Sequence, residues 1–259
     1  MVSLSRTSLF SAAIGLMLAS STASAALFTT YTIRGTPVTS EAAGVTTIAI
    51  TGSSDKAAMG TSDLNGMHLS DITRLGITRV DDYTRFNAGS GPRVGPYLNF
   101  WITDGAGHYA VVANEPSNPE WSADYEANGG KYDFGWDYLK TKTVKVYENS
   151  SVAWLPSSGV GLTFADLGSF LIQAPTAAEL TSGWAGLGTG APRDGSNNAY
   201  GVNWVFGDTQ GNYVSGGDPG YQVRDAVATA AVGTVPEPAS IALVGLALAG
   251  LGAARRRTH

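Results

Sequence analysis

Short alternating segments constrain the fold of this chain more than any other feature of its sequence. Runs rich in Val, Ile, Thr and aromatic residues are separated by Gly, Asn, Asp and Ser, and no long amphipathic helix is visible between the two ends. A period of two residues is typical of a strand with one buried face. The pattern therefore predicts an all-β fold.

The same pattern sets the expected number of strands at about ten, enough for two packed sheets. The predicted strands are Phe28–Arg34, Val45–Thr51, Asp71–Val80, Tyr97–Thr103, Tyr109–Ala113, Lys131–Leu139, Thr143–Tyr147, Gly201–Phe206, Asn212–Ser215 and Tyr221–Thr229. Thr163–Asp166 and Thr176–Glu179 match the capping-box pattern of a helix start. We therefore expect a β-sandwich with one or two short helices.

The first 25 residues have the features of a secretory signal peptide. Arg6 precedes a short apolar run, and Ala23-Ser24-Ala25 supplies the small residues of a cleavage site. An uncleaved anchor helix is the alternative, but the run is short for a bilayer. We expect export and cleavage near Ala25, which leaves residues 26–234 as one β-sandwich domain.

Residues 235–259 combine a proline-bracketed glutamate with an apolar run and a basic end. Pro236, Glu237 and Pro238 precede the apolar run, which is followed by Arg255, Arg256 and Arg257. A helix from Ala239 to Ala254 would be ~24 Å long, a marginal transmembrane span against a hydrocarbon layer of ~30 Å. Arginine favours the cytoplasmic side of a membrane, so the preceding domain is expected outside.

These three parts, in this order, resemble the PEP-CTERM sorting tail. The resemblance implies that an exosortase, a membrane transpeptidase, recognises Pro236-Glu237-Pro238 and cleaves nearby. The protein would pass from the inner membrane to the envelope, surface or extracellular matrix of a Gram-negative bacterium, often alongside exopolysaccharide. The same tail is also called the C-terminal domain of ice-binding proteins, a label that says nothing about ice binding. A plain tail anchor is the alternative interpretation.

The interior of the chain carries a second, weaker resemblance. Leu69-Ser-Asp-Ile-Thr73, Pro96-Tyr-Leu-Asn-Phe-Trp101 and Gly201-Val-Asn-Trp-Val-Phe-Gly-Asp-Thr209 resemble segments of jelly-roll domains in other PEP-CTERM proteins. This likeness covers about half of the domain and implies a jelly-roll-like sandwich.

Charge and cysteine content exclude several function classes. Four of the 16 basic side chains, Arg6 and the three terminal arginines, lie outside residues 26–254, whereas all 21 acidic side chains lie within them, so this region carries a net charge of about −9. Binding to nucleic acid requires clustered cations, so we expect none. The chain has no cysteine, which excludes disulfides, thiolate metal sites and a cysteine nucleophile.

Lys131 to Tyr138 is the most informative internal segment. Read as one strand, it places Tyr132, Phe134, Trp136 and Tyr138 on one face and its two aspartates on the other. The simplest interpretation is that the aromatic face belongs to the core. The alternative is that Tyr132, Trp136 and Tyr138 are exposed and stack on the sugar rings of a carbohydrate.

Other chemistry has weaker sequence signals. Candidate oxygen ligands for Ca²⁺ are Asp81, Asp82, Asp124, Glu126 and Asp208, but they lack the spacing of an EF-hand loop, and solvated turn carboxylates are the simpler interpretation. No catalytic motif occurs in the chain, and His68 and His108 are the only histidines between the end segments. We expect no catalytic residue, no metal site and no required cofactor.

Three functional hypotheses follow from these features. The first is a non-enzymatic surface or matrix protein that binds exopolysaccharide. The second is a secreted polysaccharide-active enzyme, which would need a cleft with two carboxylates ~5–10 Å apart. The third is a purely structural subunit of a surface coat.

Overall fold

Two antiparallel sheets form the described part of the chain. The computed structural model describes residues 26–50, 52, 54–82, 95–114, 118–127, 130–149, 152–181, 191–207 and 220–231. Twelve strands lie within these residues: β1 Thr29–Arg34, β2 Val38–Ala42, β3 Val45–Ala49, β4 Lys56–Thr61, β5 Ile72–Arg79, β6 Tyr97–Thr103, β7 Tyr109–Ala113, β8 Lys131–Phe134, β9 Lys145–Asn149, β10 Leu171–Ile172, β11 Val202–Phe206 and β12 Tyr221–Ala230.

The described helices are short. They are the α-helices α1 Pro119–Ala127, α2 Trp136–Leu139 and α3 Ala177–Thr181, and 3-10 turns at Leu69–Asp71, Val152–Trp154, Pro156–Gly159 and Ala165–Leu167. Within the ranges given above, no helix has the length and apolar character needed to cross a membrane.

Strands from the start and the end of the chain pair with each other in both sheets. The seven-stranded sheet has the order β1-β4-β11-β6-β7-β9, with β10 paired to the end of β6, and the five-stranded sheet has the order β2-β3-β12-β5-β8. β3 pairs with β12, β4 with β11, β5 with β8 and β6 with β7, all antiparallel. The inner faces of the sheets share one apolar core, so the predicted all-β sandwich is confirmed.

Aromatic contacts join the two sheets. The rings of Tyr132 (β8) and Trp204 (β11) stack at 6.2 Å, and those of Phe206 (β11) and Tyr221 (β12) meet at 5.3 Å. All four side chains are at most 2% exposed. Burial of each large apolar side chain stabilises the fold by roughly 1.5–3 kcal/mol, so these rings make a substantial contribution to holding the sheets together.

The seven-stranded sheet is buried on its outer face as well. A second apolar cluster covers that face, with Trp101 and Val111 from the sheet and Leu180 from α3 among its members. Trp101 Nε1 donates to the carbonyl oxygen of Pro192 at 3.0 Å. The segments around α3 and Pro192 therefore form a third layer over part of the sandwich.

Most strand predictions are confirmed, two of them, Tyr97–Thr103 and Tyr109–Ala113, to the residue. The single strand predicted for Lys131–Leu139 is wrong, because β8 ends at Phe134 and helix α2 begins at Trp136. The predicted strand Asn212–Ser215, the signal peptide and the C-terminal transmembrane segment lie outside the described residues.

Candidate functional site

Tyr132, one of the three predicted sugar-stacking residues, belongs to the core. Its side chain is 2% exposed, and its hydroxyl donates to the carbonyl oxygen of Gly95 at 3.1 Å. One neighbour of its ring is Phe134, stacked at 6.3 Å. A ring buried in this way offers no face to a sugar, so the carbohydrate-binding prediction for Tyr132 is wrong.

Trp136 and Tyr138 lie on the helical turn α2 and are half-buried. Tyr138 stacks on Phe134 at 5.3 Å, its hydroxyl donates to Asp124, and Lys142 Nζ lies 4.6 Å from the centre of its ring. Trp136 packs so closely on Gly168 that a Cβ there would lie 2.9 Å from the ring. These contacts serve the fold, and sugar stacking on these two rings stays a prediction.

The candidate calcium ligands are used in other contacts or lie outside the described residues. Both carboxylate oxygens of Asp81 accept hydrogen bonds from Arg79, and Asp124 accepts one from Lys142 at 3.1 Å. The side chain of Glu126 and the whole of Asp208 lie outside the described residues. In the described ranges, no three carboxylate or histidine side chains come close enough to share a metal ion. Calcium therefore stays a prediction.

Arg79 and Asp81 form a buried ion pair where β5 ends. Arg79 donates from Nε and Nη2 to the two oxygens of Asp81 at 3.1 and 2.6 Å, and from Nη1 to the carbonyl oxygen of Gly95 at 2.7 Å. Burial opposes the charge of Arg79, but the hydrogen bonds and charge of Asp81 outweigh burial and raise the pKa of the guanidinium. The bond from Arg79 to Gly95 links β5 to the segment that leads into β6 of the other sheet, while Asp81 also accepts from the amide of Gln222, on the neighbouring strand β12, at 3.1 Å.

His108 is held in the hairpin turn between β6 and β7. Its Nδ1 lies 2.6 Å from Asp104 Oδ2, and its ring stacks on Trp154 at 5.9 Å. Burial opposes the effect, but hydrogen bonds from the His108 ring and from two backbone amides lower the pKa of Asp104. The other histidine among the described residues, His68, lies 3.4 Å from Asp71 at the start of a 3-10 turn. Both contacts stabilise turns.

A pocket lined mainly by neutral polar side chains lies where the segments that precede α3 and β11 meet. Its volume is about 400 Å³. It is lined by Asn65, the segment Gln173–Ala177 and the segment Asn198–Tyr200. We call it the amide pocket, because three of its side chains, those of Asn65, Gln173 and Asn198, are carboxamides.

Two neighbouring side chains fix Tyr200 in the wall of the amide pocket. The ring of Tyr200 lies 5.2 Å from that of Tyr31, and its carbonyl oxygen accepts from Asn203 Nδ2 at 2.7 Å. Asn203 Oδ1 in turn accepts from the Tyr31 hydroxyl at 2.6 Å. Burial raises the pKa of Tyr31 well above its ordinary value, so this hydroxyl remains a donor.

The rim of the amide pocket is held by two carboxylates. Glu179 accepts from the backbone amide and hydroxyl of Thr176 at 2.7 and 2.8 Å, which confirms the capping box predicted there. Asp194 accepts from the backbone and side-chain amides of Asn198 at 2.9 and 3.0 Å. Hydrogen bonds from Thr176 lower the pKa of Glu179. Neither carboxylate lines the described pocket.

Three polar groups of the amide pocket have no protein partner. Within the described chain, the side-chain amides of Asn65 and Gln173 and the hydroxyl of Tyr200 make no hydrogen bond to protein atoms. Asn65 Oδ1 lies directly over Gly201, where a Cβ would be only 2.3 Å away. Sequence analysis missed this site because its residues come from separate segments that only the sheet brings together.

A comparison with known families identifies the C-terminal segment. The model of the PEP-CTERM protein-sorting motif matches residues 234–257. The chain carries a PEP-CTERM sorting motif. The prediction made from Pro236-Glu237-Pro238 and the terminal arginines is confirmed, and the motif indicates export and sorting to the bacterial cell envelope by exosortase, a membrane enzyme. No curated protein and no solved structure matches the chain.

Proposed function

We propose that this PEP-CTERM protein is a non-enzymatic component of the cell surface or extracellular matrix that associates with exopolysaccharide. The sorting motif at residues 234–257 is the observation that carries the proposal. An exosortase acts at the inner membrane in this scheme, and the released protein reaches the outside of a Gram-negative cell. In this scheme the β-sandwich domain carries the molecular function, and the tail serves only as a sorting signal.

The strand order supports a jelly-roll arrangement for that domain. Strands β3 to β8 with β11 and β12 make eight strands in two sheets, β3-β12-β5-β8 and β4-β11-β6-β7. The chain pairs its outer strands with each other and its inner strands with each other, like a long hairpin rolled into two sheets. Of the remaining four strands, β1, β2 and β9 extend the edges of this unit, and β10 pairs with the end of β6.

A binding role agrees with the use of the carboxylates. Asp81, Asp124, Glu179 and Asp194 all accept hydrogen bonds that hold the fold or a loop. A glycosidase needs two carboxylates that face a common substrate. The amide pocket instead presents groups that can bind hydroxyls without breaking a bond.

Sorting is tested by replacing Pro236, Glu237 and Pro238 together with alanine. We expect the variant to stay in the membrane fraction, whereas the parent chain is released to the outer surface or medium, as measured by cell fractionation and immunoblotting. Thr258→Ala is the matched control, because it lies in the tail but outside the matched residues. Unchanged release of the triple variant would refute handling by exosortase.

Association with the matrix needs its own measurement. The released protein should be retained on exopolysaccharide prepared from the same cells, and it should free no reducing ends from that polymer. If the protein passes through unretained, the carbohydrate part of the proposal is wrong. If reducing ends appear with time, the protein is an enzyme.

A further inference from the structure

We propose that the amide pocket binds an uncharged sugar residue of a polysaccharide. This inference deepens the proposed function and rests on it, but it moves the binding site from the aromatic segment around Tyr138 to the segments that precede α3 and β11. The unpartnered amides of Asn65 and Gln173 and the Tyr200 hydroxyl carry it.

The chemistry of the lining fits a polyol. A carboxamide offers two N–H donors and a carbonyl acceptor, and a sugar hydroxyl both donates and accepts. Asn65 and Gln173 can therefore each bind neighbouring hydroxyls, while Tyr200 supplies a hydroxyl together with part of an apolar ring. Ala174, Ala177 and neighbouring small residues complete the wall without adding charge.

The electrostatics favour an uncharged ligand. No lysine or arginine lines the described pocket. Asp194 and Glu179 hold its rim. Burial opposes the effect at Asp194, but hydrogen bonds from Asn198 and Ser196 outweigh burial and lower the pKa of its carboxyl, and hydrogen bonds from Thr176 lower the pKa of Glu179, so both are ionised at neutral pH. Their negative charge would repel the carboxylate of a uronic acid. The pocket should therefore discriminate against acidic polysaccharides.

One wall and the rim of the pocket are held in place before a ligand arrives. Tyr200 is held by Tyr31 and Asn203, and the rim loops are held by Asp194 and Glu179. Groups that are already ordered lose little conformational entropy on binding. The volume of about 400 Å³ lies within the ~300–1,000 Å³ range of pockets that bind small ligands. A sugar residue fits this space, and the open side lets a polymer continue.

Substitutions that shorten the unpartnered amides test the site. The full chain and its Asn65→Ala and Gln173→Ala variants are assayed by affinity electrophoresis against dextran, laminarin and galactomannan as neutral polymers and alginate as an acidic one. Gln222→Ala removes a carboxamide from β12, on the other sheet, and is the matched control. Gln173→Glu keeps the size of the side chain and replaces its donors with a negative charge.

We expect at least one neutral polymer to retard the parent chain. The affinity for that polymer should fall about tenfold or more in Asn65→Ala, Gln173→Ala and Gln173→Glu, and it should be unchanged in Gln222→Ala. Circular dichroism and melting curves establish that the variants are folded. Binding that all three pocket variants retain would overturn the pocket and leave the proposed function intact. Tighter binding to alginate than to the neutral polymers would overturn the uncharged-sugar inference. Failure of the parent chain to bind any of these polymers and its own exopolysaccharide would overturn both proposals.

Discussion

Two Arg–Asp pairs that differ mainly in burial allow a sharp test of what stabilises the sandwich. Arg79–Asp81 and Arg74–Asp133 each join a guanidinium to both oxygens of a carboxylate, and both arginines lie on β5. The side chains of the first pair are each 1% exposed, whereas those of the second are 50% and 45% exposed. Solvent screening should make the second pair far less important.

The loss of stability expected for Asp81→Asn follows from the charge that it leaves unpaired. Arg79 would remain buried with its charge uncompensated, and removal of one partner from a buried pair costs about 3–5 kcal/mol. In a domain of about 200 residues, each kcal/mol lowers the melting temperature by ~2–4 °C, so we expect a loss of roughly 6–20 °C. Asp133→Asn should leave the melting temperature close to that of the parent chain.

Thermal unfolding followed by circular dichroism measures both variants under the same conditions. The single variant Arg79→Met and the double variant Arg79→Met with Asp81→Asn complete a cycle, and we expect a coupling energy of about 1–3 kcal/mol between the two positions. Salt should change the Asp81 effect little, because a buried pair is weakly screened. If Asp81→Asn loses no more stability than Asp133→Asn, the argument from burial is wrong.

Three further outcomes can be checked with the same material. Gly44 and Gly207 share a φ of 74°, but a Cβ meets nothing within 4 Å at Gly44 and lies 2.5 Å from a backbone oxygen at Gly207. Alanine at Gly44 should therefore cost only the left-handed backbone term of about 1–2 kcal/mol, and alanine at Gly207 clearly more, by chemical denaturation. Burial raises the pKa of Tyr31 and Tyr221, so neither hydroxyl should ionise in an absorbance titration until the chain unfolds. The contribution of the two buried hydroxyls to the free energy of unfolding should be lost as the pH rises above their unfolded pKa of about 10. Hydrogen bonds at the start of α3 lower the pKa of Glu179, so its contribution to the free energy of unfolding is present above the unfolded pKa of about 4.3 and lost as the pH falls below it. In Glu179→Gln, the free energy of unfolding should therefore fall less steeply between neutral and acidic pH.

The strands that were predicted correctly have strong local signals. Tyr97–Thr103 and Tyr109–Ala113 are rich in β-branched and aromatic residues and flank an Asp/Gly turn. Strand β4, Lys56–Thr61, was missed because its Ala and Gly residues carry no strand signal. Its small side chains are explained only by tertiary packing, since a Cβ at Gly60 would lie 2.7 Å from Tyr200.

Helices, like strands, can be predicted only where the local sequence carries a signal for them. Helix α3 follows a capping box that local sequence reveals, whereas α1, Pro119–Ala127, has no marked apolar stripe to announce it. At Gly135 the chain leaves β8 and turns into α2, where a Cβ would lie 3.0 Å from the carbonyl oxygen of Thr73 on β5. Alternation alone cannot reveal such a close approach between strands.

The amide pocket shows why sites are harder to predict than strands. Asn65, Gln173 and Asn198 have no common motif or spacing, and each alone is an ordinary loop residue. The aromatic residues around Tyr138 form a visible sequence pattern because they are close together in the chain, yet this pattern reflects packing against the core. The sorting tail could be identified because its residues act as one linear segment.

The last strand limits how far the domain can lie from its sorting motif. The Ala231 amide, directly after β12, donates to the carbonyl oxygen of Asp71 at 2.6 Å, so the body of the domain holds the chain up to this residue. Five peptide units separate Ala231 from Pro236, and even a fully extended leash of that length reaches only ~17 Å. That is about the radius of gyration of a 200-residue domain. While the exosortase holds Pro236, the end of β12 therefore lies within ~17 Å of the enzyme.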